Sequence, residues 1–217
     1  MKVIKPDVVF VGPIDGAGIL KRLEECGRVC YKSEDKISEG SAEKFLSGIL
    51  KRGHEAVLEH ASFTVKFICD RGVSHEIVRH RMASYCQEST RYCNYGKGRF
   101  GEEITVIAPC FWAEDSDEMR QWRSAMQLAE MHYFRLLQLG ASPQEARSVL
   151  PNSLKTEVVM TANIREWRHF LHLRCAPAAH PQMREVAHLL LEKVHAQIPI
   201  LFDDIWDEYR DTKTGQV

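Results

Sequence analysis

The sequence predicts an α/β (α+β) fold, in which residues 1–217 form a single domain with a central mixed sheet flanked by helices. Two observations support this prediction. Short apolar or alternating runs that favour strands are interspersed with longer amphipathic runs that favour helices. No internal repeat, linker or low-complexity segment divides the chain, and a length of 217 residues with 44% hydrophobic side chains is typical of one globular domain.

The first predicted elements are a strand and two helices. Residues 7–12 are a short β-branched run that ends in Gly-Pro, which is typical of a buried strand. A short helix is expected at residues 19–28, and a second begins with Ser41 as N-cap and ends at Gly53. The glycines after the strand do not complete a dinucleotide-binding fingerprint, because Lys21 stands where the third glycine is required.

A strand and a helix are predicted to lead into the densest cluster of charges. Residues 63–67 alternate between apolar and polar side chains, which predicts a half-buried strand. Ser74 is the expected N-cap of the helix that follows. That helix would turn Ile77, Val78 and Met82 inward and would include Arg79, His80 and Arg81.

The middle of the chain predicts a further strand and two helices. The strand is expected at residues 104–108. Residues 119–137 carry apolar side chains at intervals of three and four, which indicates an amphipathic helix. Ser142 and Glu145, with a proline directly after the serine, form a capping box that opens the next helix.

The last third predicts a strand followed by helices. The strand is expected at residues 156–161, and Asn163 with Glu166 three residues later opens a helix directly after it. A long helix is expected from Pro181. The chain then turns at a proline into a final apolar segment at residues 201–209.

The sequence offers no transmembrane segment. Its longest stretch without a charged residue, residues 104–113, is about half of what a bilayer-spanning helix needs. The apolar run at residues 8–11 is too short for the core of a signal peptide, so a cytoplasmic location is expected. The seven cysteines are then expected to stay reduced, and without a C-x-x-C pair they indicate neither a disulfide framework nor a zinc ribbon.

Positive charge is concentrated in one segment. The net charge of the whole chain is −1, which argues against a dedicated nucleic-acid-binding protein. Between Arg71 and Arg99, however, six basic residues stand against two acidic ones, which indicates an anionic ligand. The basic residues are Arg71, Arg79, Arg81, Arg91, Lys97 and Arg99.

This basic segment has the residue types that bind phosphate. The triplet at residues 79–81 is followed by Gln87, Ser89 and Arg91. Guanidinium groups bind phosphate oxygens in pairs, and a serine hydroxyl adds a neutral donor. A solvated basic face is the alternative interpretation of the same residues.

The histidines leave two interpretations open. The segment from Gly53 to His60 lacks a zinc-protease H-E-x-x-H motif, because Leu58 stands at the position of the second histidine. His54 is either a polar cap beyond a helix end or a catalytic residue. A metal-dependent hydrolase, an alternative function, would be built on His54, His60, His75 and His80.

Three ordered blocks resemble one family. The string R-H-R-M-A-S-Y-C-Q-E-S-T-R-Y at residues 79–92 is similar to the R-H-R-x7-S signature of the flavin-dependent thymidylate synthases. The block G-H-E-A-V-L-E-H at residues 53–60 precedes it in the family's order. A-R-S-V-L-P at residues 146–151 and T-A-N-I-R-E-W-R-H-F-L-H-L-R at residues 161–174 resemble the family's C-terminal half. The resemblance spans roughly residues 50–190.

The resemblance implies a cofactor, an assembly and two sets of contacts. FAD would lie between subunits of a homotetramer, with dUMP stacked near its ring and sites shared between subunits. Neither a nucleic acid nor a membrane is then expected as a partner. The implied FAD contacts are His54, Arg79, His80, Arg81, Gln87, Asn163, Arg165 and His169. The implied dUMP contacts are Glu76, Arg79, Gln87, Glu88, Ser89, Thr90, Arg91, Arg147 and Arg174.

The resemblance also implies the reaction. NADPH reduces FAD, methylenetetrahydrofolate supplies the methylene group, and reduced flavin supplies the hydride that converts dUMP to dTMP. No cysteine nucleophile is needed, in contrast to the thiol chemistry of the other thymidylate synthase type. Arg174 is the expected catalytic residue, because a guanidinium beside uracil stabilises the anionic form of the ring.

Four positions depart from the family pattern or stand out within it. Ala56 lacks the hydroxyl of the family's Ser/Thr, and His169 stands where some members have Asn. Gln182 replaces an acid in the last helix. Cys86 lies inside the signature, where an inert buried thiol is expected in preference to a redox-sensitive one.

A nucleic-acid-binding module is the remaining alternative. It would use the basic segment from Arg71 to Arg99, with Tyr85, Tyr92 and Tyr95 as stacking rings. The near-neutral charge of the whole chain argues against it.

Overall fold

Two sheets organise the strands of the chain, which a computed structural model describes at residues 1–96 and 103–212. The six strands are β1 (Lys2–Ile4), β2 (Asp7–Phe10), β3 (Ser62–Asp70), β4 (Ala83–Gln87), β5 (Thr105–Ile107) and β6 (Lys155–Asn163). The larger sheet is antiparallel and has the order β2, β3, β6, β4. Strands β1 and β5 pair in parallel as a separate ladder.

Helices surround these sheets. The α-helices are α1 (Gly16–Tyr31), α2 (Ser41–Lys51), α3 (Arg71–Ile77), α4 (Asp117–Gln138), α5 (Pro143–Ala146), α6 (Ile164–Cys175), α7 (Pro181–Gln197) and α8 (Asp203–Tyr209). Short 3-10 helices lie at Glu34–Lys36, Glu55–His60, Arg147–Val149 and Pro199–Leu201. None of the helices within the described ranges has the length and apolar character required to cross a bilayer.

Helix α6 is anchored to the sheet and to its neighbours by buried side chains. The ring of Trp167 stacks on Phe63 of β3 with centroids 4.9 Å apart, and its Nε1–H donates to the Phe63 carbonyl at 3.2 Å. On the opposite side, the guanidinium of Arg168 donates to both carboxylate oxygens of Asp204 in α8, at 2.8 and 2.6 Å. Such paired bonds fix orientation as well as distance, so α6 is a rigid support for the side chains it carries.

The predicted fold class is confirmed, and most predicted elements are present. The strands expected at residues 7–12, 63–67, 104–108 and 156–161 correspond to β2, β3, β5 and β6. The expected amphipathic helix is α4, which buries Met119, Trp122, Met126 and Tyr133. Strands β1 and β4 were not predicted, and Gly40, not Ser41, is the N-cap residue of α2.

The helix expected from Ser74 through the arginine triplet is wrong at both ends. Asp70 caps α3, because its carboxylate accepts from the backbone N–H of Val73 at 2.8 Å. The Ser74 hydroxyl lies inside the helix and donates to the carbonyl of Arg71 at 2.8 Å. The helix ends at Ile77 since the chain must reverse to pair β4 with β6, and Met82, expected to be buried, is 72% exposed.

Candidate active site

The turn between α3 and β4 holds one histidine against α6. The backbone N–H of His80 donates to the Ile77 carbonyl at 3.2 Å, and the Tyr85 hydroxyl donates to the carbonyls of both residues. Burial raises the pKa of Tyr85 to about 12, so this hydroxyl remains a donor. The turn leaves His80 only 4% exposed, whereas its neighbours Arg79 and Arg81 are exposed.

Four polar side chains form a hydrogen-bonded relay around this histidine. Nδ1 of His80 lies 2.9 Å from Oε1 of Glu166, which is near the start of α6. On the other ring edge, Nε of Arg174 donates to Nε2 of His80 at 3.1 Å. The guanidinium of Arg174 also donates to the carboxylate of Glu76 at 2.7 Å and to the Glu76 carbonyl at 3.1 Å. We call this set of residues (Glu166, His80, Arg174 and Glu76) the relay.

The relay fixes the protonation state of its histidine. An arginine has no acceptor atom, so Nε2 of His80 must carry a lone pair to accept from Arg174. The proton of the neutral ring therefore lies on Nδ1 and is donated to Glu166. Burial lowers the pKa of His80, the bond to Glu166 opposes this effect, and the charge of Arg174 lowers the pKa further, with a net direction downward. His80 is thus a neutral imidazole at pH 7.

A cavity of about 400 Å³ opens beside the relay. His169, which lines it, contacts His80, with ring centroids 5.6 Å apart. Arg165, also in the lining, pairs with Glu59 at 2.7 Å. The lining residues are Glu55, Glu59, Met82, Asn163, Arg165, Glu166, Arg168, His169 and His172.

One lining group lacks a partner for its proton. The Nε–H of Arg168 is buried and has no hydrogen-bond acceptor among residues 1–96 and 103–212, and the carboxylate of Glu55 is 3.8 Å away. A buried donor without an acceptor carries a desolvation cost of about 1–3 kcal/mol, or more for a charged group. The Arg168 side chain lines the cavity, so this unsatisfied donor lies in the cavity wall, although the Nε atom itself is covered by neighbouring atoms.

Three cavity groups also have the spacing of metal ligands. One ligand atom each from His80, Glu166 and His169 lies within 4.8 Å of the others, and this is the one such cluster found in the described parts of the chain. The hydrogen bond between His80 and Glu166 uses two of the three atoms, and the cation Arg174 adjoins them. The cluster of the alternative hydrolase function is not formed among the described residues, because His54, His60 and His75 are not part of this group.

A second group of expected contacts lies at the end of β4. The side-chain amide of Gln87 donates to Ser74 of α3 at 3.0 Å, which joins this group to the helix that carries Glu76. Glu88 accepts from Nζ of Lys155 at 2.9 Å and from the Tyr95 hydroxyl at 3.2 Å. These bonds hold the strand end in place before the chain turns away from the sheet.

The turn after β4 carries the expected phosphate contacts. The Ser89 hydroxyl oxygen accepts from the backbone N–H of Arg91 at 3.3 Å, and the Arg91 side chain is exposed. Thr90 is buried and accepts from Nη1 of Arg147 at 3.2 Å, although the two residues are far apart in sequence. The structure therefore brings Arg147 to the signature segment.

Some expected residues lie outside both groups. Nδ1 of His54 is within 2.7 Å of the Tyr31 hydroxyl, and His54 precedes the 3-10 helix Glu55–His60 as a cap residue without a capping hydrogen bond. Lys97 and Arg99 fall outside the described residues.

The ring platform of the nucleic-acid alternative is not formed as expected. Tyr95 is only 5% exposed, and the hydroxyl of Tyr85 is bonded to backbone inside the turn. Tyr92 is 80% exposed, but Arg91 lies over its ring at 5.5 Å. Two of the three expected stacking rings thus have structural roles, which argues against this function.

Sequence reasoning missed Glu166, Arg168, Tyr85 and Lys155. The sequence did give a signal for Glu166, since it stands three residues after Asn163, but that spacing was assigned to helix capping alone. Lys155 and Tyr85 lie at strand positions whose partners are set by the sheet register, which local sequence does not show.

The class that the fold and site define is an enzyme, since a hydrogen-bonded histidine, an arginine and two glutamates lie next to a cavity lined by charged and polar side chains. The chain matches the family model described as thymidylate synthase complementing protein over residues 16–200. It belongs to the family of flavin-dependent thymidylate synthases.

The relatives and a solved structure agree with this membership. A flavin-dependent thymidylate synthase of Corynebacterium aurimucosum is 38% identical over 200 residues, which is 84% of this chain and 78% of that protein. The Pyrococcus furiosus enzyme of the same name is 37% identical over 77% of this chain and 68% of its own length. The structure of a UMP/dUMP methylase from Streptomyces cacaoi bound with 5-Br dUMP has a TM-score of 0.77 at 23% identity, over 96% of this chain and 98% of that chain. This last likeness shows the shared fold, and the predicted family and enzyme class are confirmed.

Proposed function

We propose that this chain catalyses the reductive methylation of dUMP to dTMP, with FAD as cofactor, methylenetetrahydrofolate as carbon donor and NADPH as reductant. The observation that carries the proposal is Arg174, which a family member would use at the uracil and which is oriented here by the carboxylate and carbonyl of Glu76 and by the neutral imidazole of His80, next to the cavity that Glu166 lines. The sequence resemblance and the family match support it independently.

The cavity residues fit a flavin. Arg168 offers a buried N–H without an acceptor, and Asn163, Arg165 and His169 line the same space. Arg79 and Arg81 are exposed on the adjacent turn and suit a pyrophosphate. We assign these residues, with His80, to flavin binding and extend the assignment to His54 and Gln87. When bound, the flavin supplies the hydride of the reaction.

The chain's own groups prepare the pyrimidine for reaction. Arg174 would stabilise negative charge that develops on the uracil ring, because a fixed guanidinium favours an anion in a site that excludes water. Glu76 and the neutral His80 keep the guanidinium in one orientation. A protonated imidazole would repel Arg174, so the low pKa of His80 is part of this arrangement.

The turn after β4 would hold the phosphate and sugar. Ser89, Arg91 and Arg147 supply a hydroxyl and two guanidinium groups, and Thr90 fixes Arg147 by a hydrogen bond. Glu88 has its charge balanced by Lys155, so it acts as a support or as a sugar contact.

The remaining parts of the proposal concern assembly and location. We also propose a single domain over residues 1–217, a homotetramer with sites shared between subunits, and a cytoplasmic location. The exposed Arg79 and Arg81 support only the shared sites, because they are free to meet a ligand held by another subunit. Neither nucleic acid nor membrane is proposed as a partner.

The visible absorption spectrum of the purified protein, recorded after reconstitution with FAD and again after addition of dUMP, tests the proposal. We expect flavin bands that shift when dUMP is added, because a stacked ring perturbs the isoalloxazine transitions. Formation of dTMP with NADPH, compared with NADH, then tests the reductant. A protein that stays colourless after reconstitution would refute the proposal.

A further inference from the structure

Two helices in this chain begin with the same spacing of residues but use it differently. In α5, the Glu145 carboxylate accepts from the backbone N–H of Ser142, three residues earlier, as in a capping box, and it also accepts from the Ser142 hydroxyl. In α6, Asn163 accepts from the backbone N–H of Glu166 at 2.9 Å, which is the first half of the same motif. The Glu166 carboxylate, however, is bonded to His80.

We propose that Glu166 is a positioning residue for Arg174 and that it acts through His80. By accepting the proton on Nδ1, Glu166 selects the tautomer in which Nε2 carries the lone pair that Arg174 requires. The inference rests on the proposed function in one respect, the assignment of Arg174 to the uracil.

The physical reason is the cost of the other protonation states. In the opposite tautomer, the N–H on Nε2 of His80 would point at the Nε–H of Arg174 across a 3.1 Å contact. The two donors would repel, and a buried guanidinium edge would lose its acceptor. A carboxylate at Nδ1 prevents this state without any contact between Glu166 and the substrate.

The relay makes no other use of the Glu166 carboxylate. Glu166 itself stabilises the start of α6 through its backbone N–H, and this hydrogen bond does not involve the Glu166 side chain. The second carboxylate of the relay, Glu76, holds Arg174 directly. Glu76 fixes the position of Nη1 of Arg174, and Glu166 fixes the tautomer of His80, whose Nε2 accepts from Nε of Arg174.

The experiment compares Glu166→Gln, Glu166→Asp and Glu166→Ala, with Glu145→Ala as a matched control. Glutamine keeps an oxygen that accepts from Nδ1, aspartate keeps the charge but is one methylene shorter, and alanine has neither group. Glu145 occupies the same position of α5 and lies in neither group of site residues. Aspartate also suits the first turn of a helix, so it keeps the test valid if the alanine variant does not fold.

The first readout is ¹⁵N NMR of the purified protein labelled at histidine and arginine, with signals assigned by His80→Gln and Arg174→Lys. We expect wild type, Glu166→Gln and Glu145→Ala to show the Nδ1–H tautomer of His80 and a slowly exchanging Arg174 Nε–H. In Glu166→Asp and Glu166→Ala, we expect a tautomer mixture and exchange of that proton at least ten times faster. An unchanged His80 tautomer and Arg174 exchange rate in the latter two variants would overturn the proposal.

The second readout is steady-state kinetics at saturating FAD. We expect Glu166→Ala to lower kcat/KM for dUMP by at least tenfold and Glu166→Gln by less than threefold, at an FAD concentration that saturates each variant separately, because His80 is also assigned to flavin binding. A loss confined to FAD affinity would contradict a role through Arg174. The NMR readout needs no turnover, so a failure of the proposed function, in which no variant forms dTMP, is distinguishable from a failure of this inference.

Discussion

The first turns of α5 and α6 have the same local pattern and different partners. Glu145 is exposed and turns back to Ser142, and the hydrogen bonds from the Ser142 hydroxyl and backbone N–H lower the pKa of Glu145. Glu166 stands at the equivalent position and turns to His80 in a neighbouring turn. A capping pattern thus marks the start of both helices, but tertiary structure decides whether the glutamate stabilises its own helix or orients another side chain.

The difference follows from what each helix start faces. Among the described residues, the Glu145 carboxylate accepts hydrogen bonds only from the hydroxyl and backbone N–H of Ser142, the cap residue of its own helix. The α6 turn follows the central strand β6 and lies against the turn between α3 and β4, where a buried imidazole needs an acceptor for Nδ1–H. Satisfying a buried donor has a larger effect than completing an exposed cap, so the carboxylate turns inward.

The largest expected effect comes from replacing Arg174, the relay residue near the C-terminal end of α6. Arg174→Lys keeps the positive charge but cannot donate at once to His80, to the Glu76 carboxylate and to the Glu76 carbonyl. We expect kcat for dTMP formation to fall by about 100-fold, as when an oriented donor is removed from a charge-stabilising site. FAD absorbance per protomer should stay at the wild-type level.

A matched change at α5 sharpens that test. Glu145→Gln alters the other glutamate of the comparison, and we expect its kcat to stay within about twofold of wild type since surface changes away from a site have small effects. Turnover of Arg174→Lys equal to wild type would remove this arginine from the mechanism.

Much of the fold could be predicted because it rests on local periodicity. Strand β6 alternates buried and intermediate residues along its whole length, β3 does so from Phe63 to Cys69, and α4 repeats apolar side chains every three or four residues. Strand β4 lacks this signal, since Ser84, Cys86 and Gln87 are exposed and nothing in its own sequence marks a buried face. Strand β4 forms by pairing with β6, and the sequence of β4 alone does not specify that pairing.

The site was predictable only as a set of residues. The resemblance named Glu76, His80 and Arg174, but their mutual bonds depend on where α3 ends. The expected helix would have continued through the triplet, whereas a cap at Asp70 and a reversal after Ile77 place His80 under α6. The fact that Cys86 is exposed, although a buried thiol was expected, has the same origin, since it lies on unpredicted β4.

The next largest expected effect is on the pH dependence of activity, which should change when Glu166, the glutamate of α6, is replaced. The groups that face His80 are Glu166, His169 and Arg174 from α6, Tyr85 from β4 and, through Arg174, Glu76 from α3. Glu166 raises the pKa of His80 against the opposing effects of burial and Arg174. Protonation of His80 removes the acceptor for Arg174, so kcat/KM for dUMP should fall at low pH. Glu166→Gln should shift this acid limb to lower pH, with up to about tenfold more relative activity one pH unit below the wild-type midpoint.

Stability and activity should both decline as the pH falls, but Glu166→Gln should affect the two in opposite directions. The folded pKa of His80 lies below its ordinary value of about 6.5, so the unfolded chain binds more protons in that window. The contribution of His80 to stability is therefore present above about pH 6.5 and declines as the pH falls toward the folded pKa. Urea unfolding between pH 7.5 and 5.5 measures it, and we expect a steeper decline in Glu166→Gln than in Glu145→Gln. Equal slopes in the two variants would show that Glu166 does not control the protonation of His80.

The smallest expected effect tests whether the caps of α5 and α6 contribute equally to the free energy of unfolding. Ser142→Ala removes the hydroxyl bond to Glu145, and Asn163→Ala removes the acceptor for the Glu166 backbone N–H. Each should lower the free energy of unfolding by about 1 kcal/mol, which chemical denaturation resolves. Only Asn163→Ala should also weaken FAD binding, because Asn163 lines the cavity and Ser142 does not. If Ser142→Ala weakened FAD binding as much as Asn163→Ala, the loss would reflect general destabilisation. The proposal that the two helix starts differ in function would then be wrong.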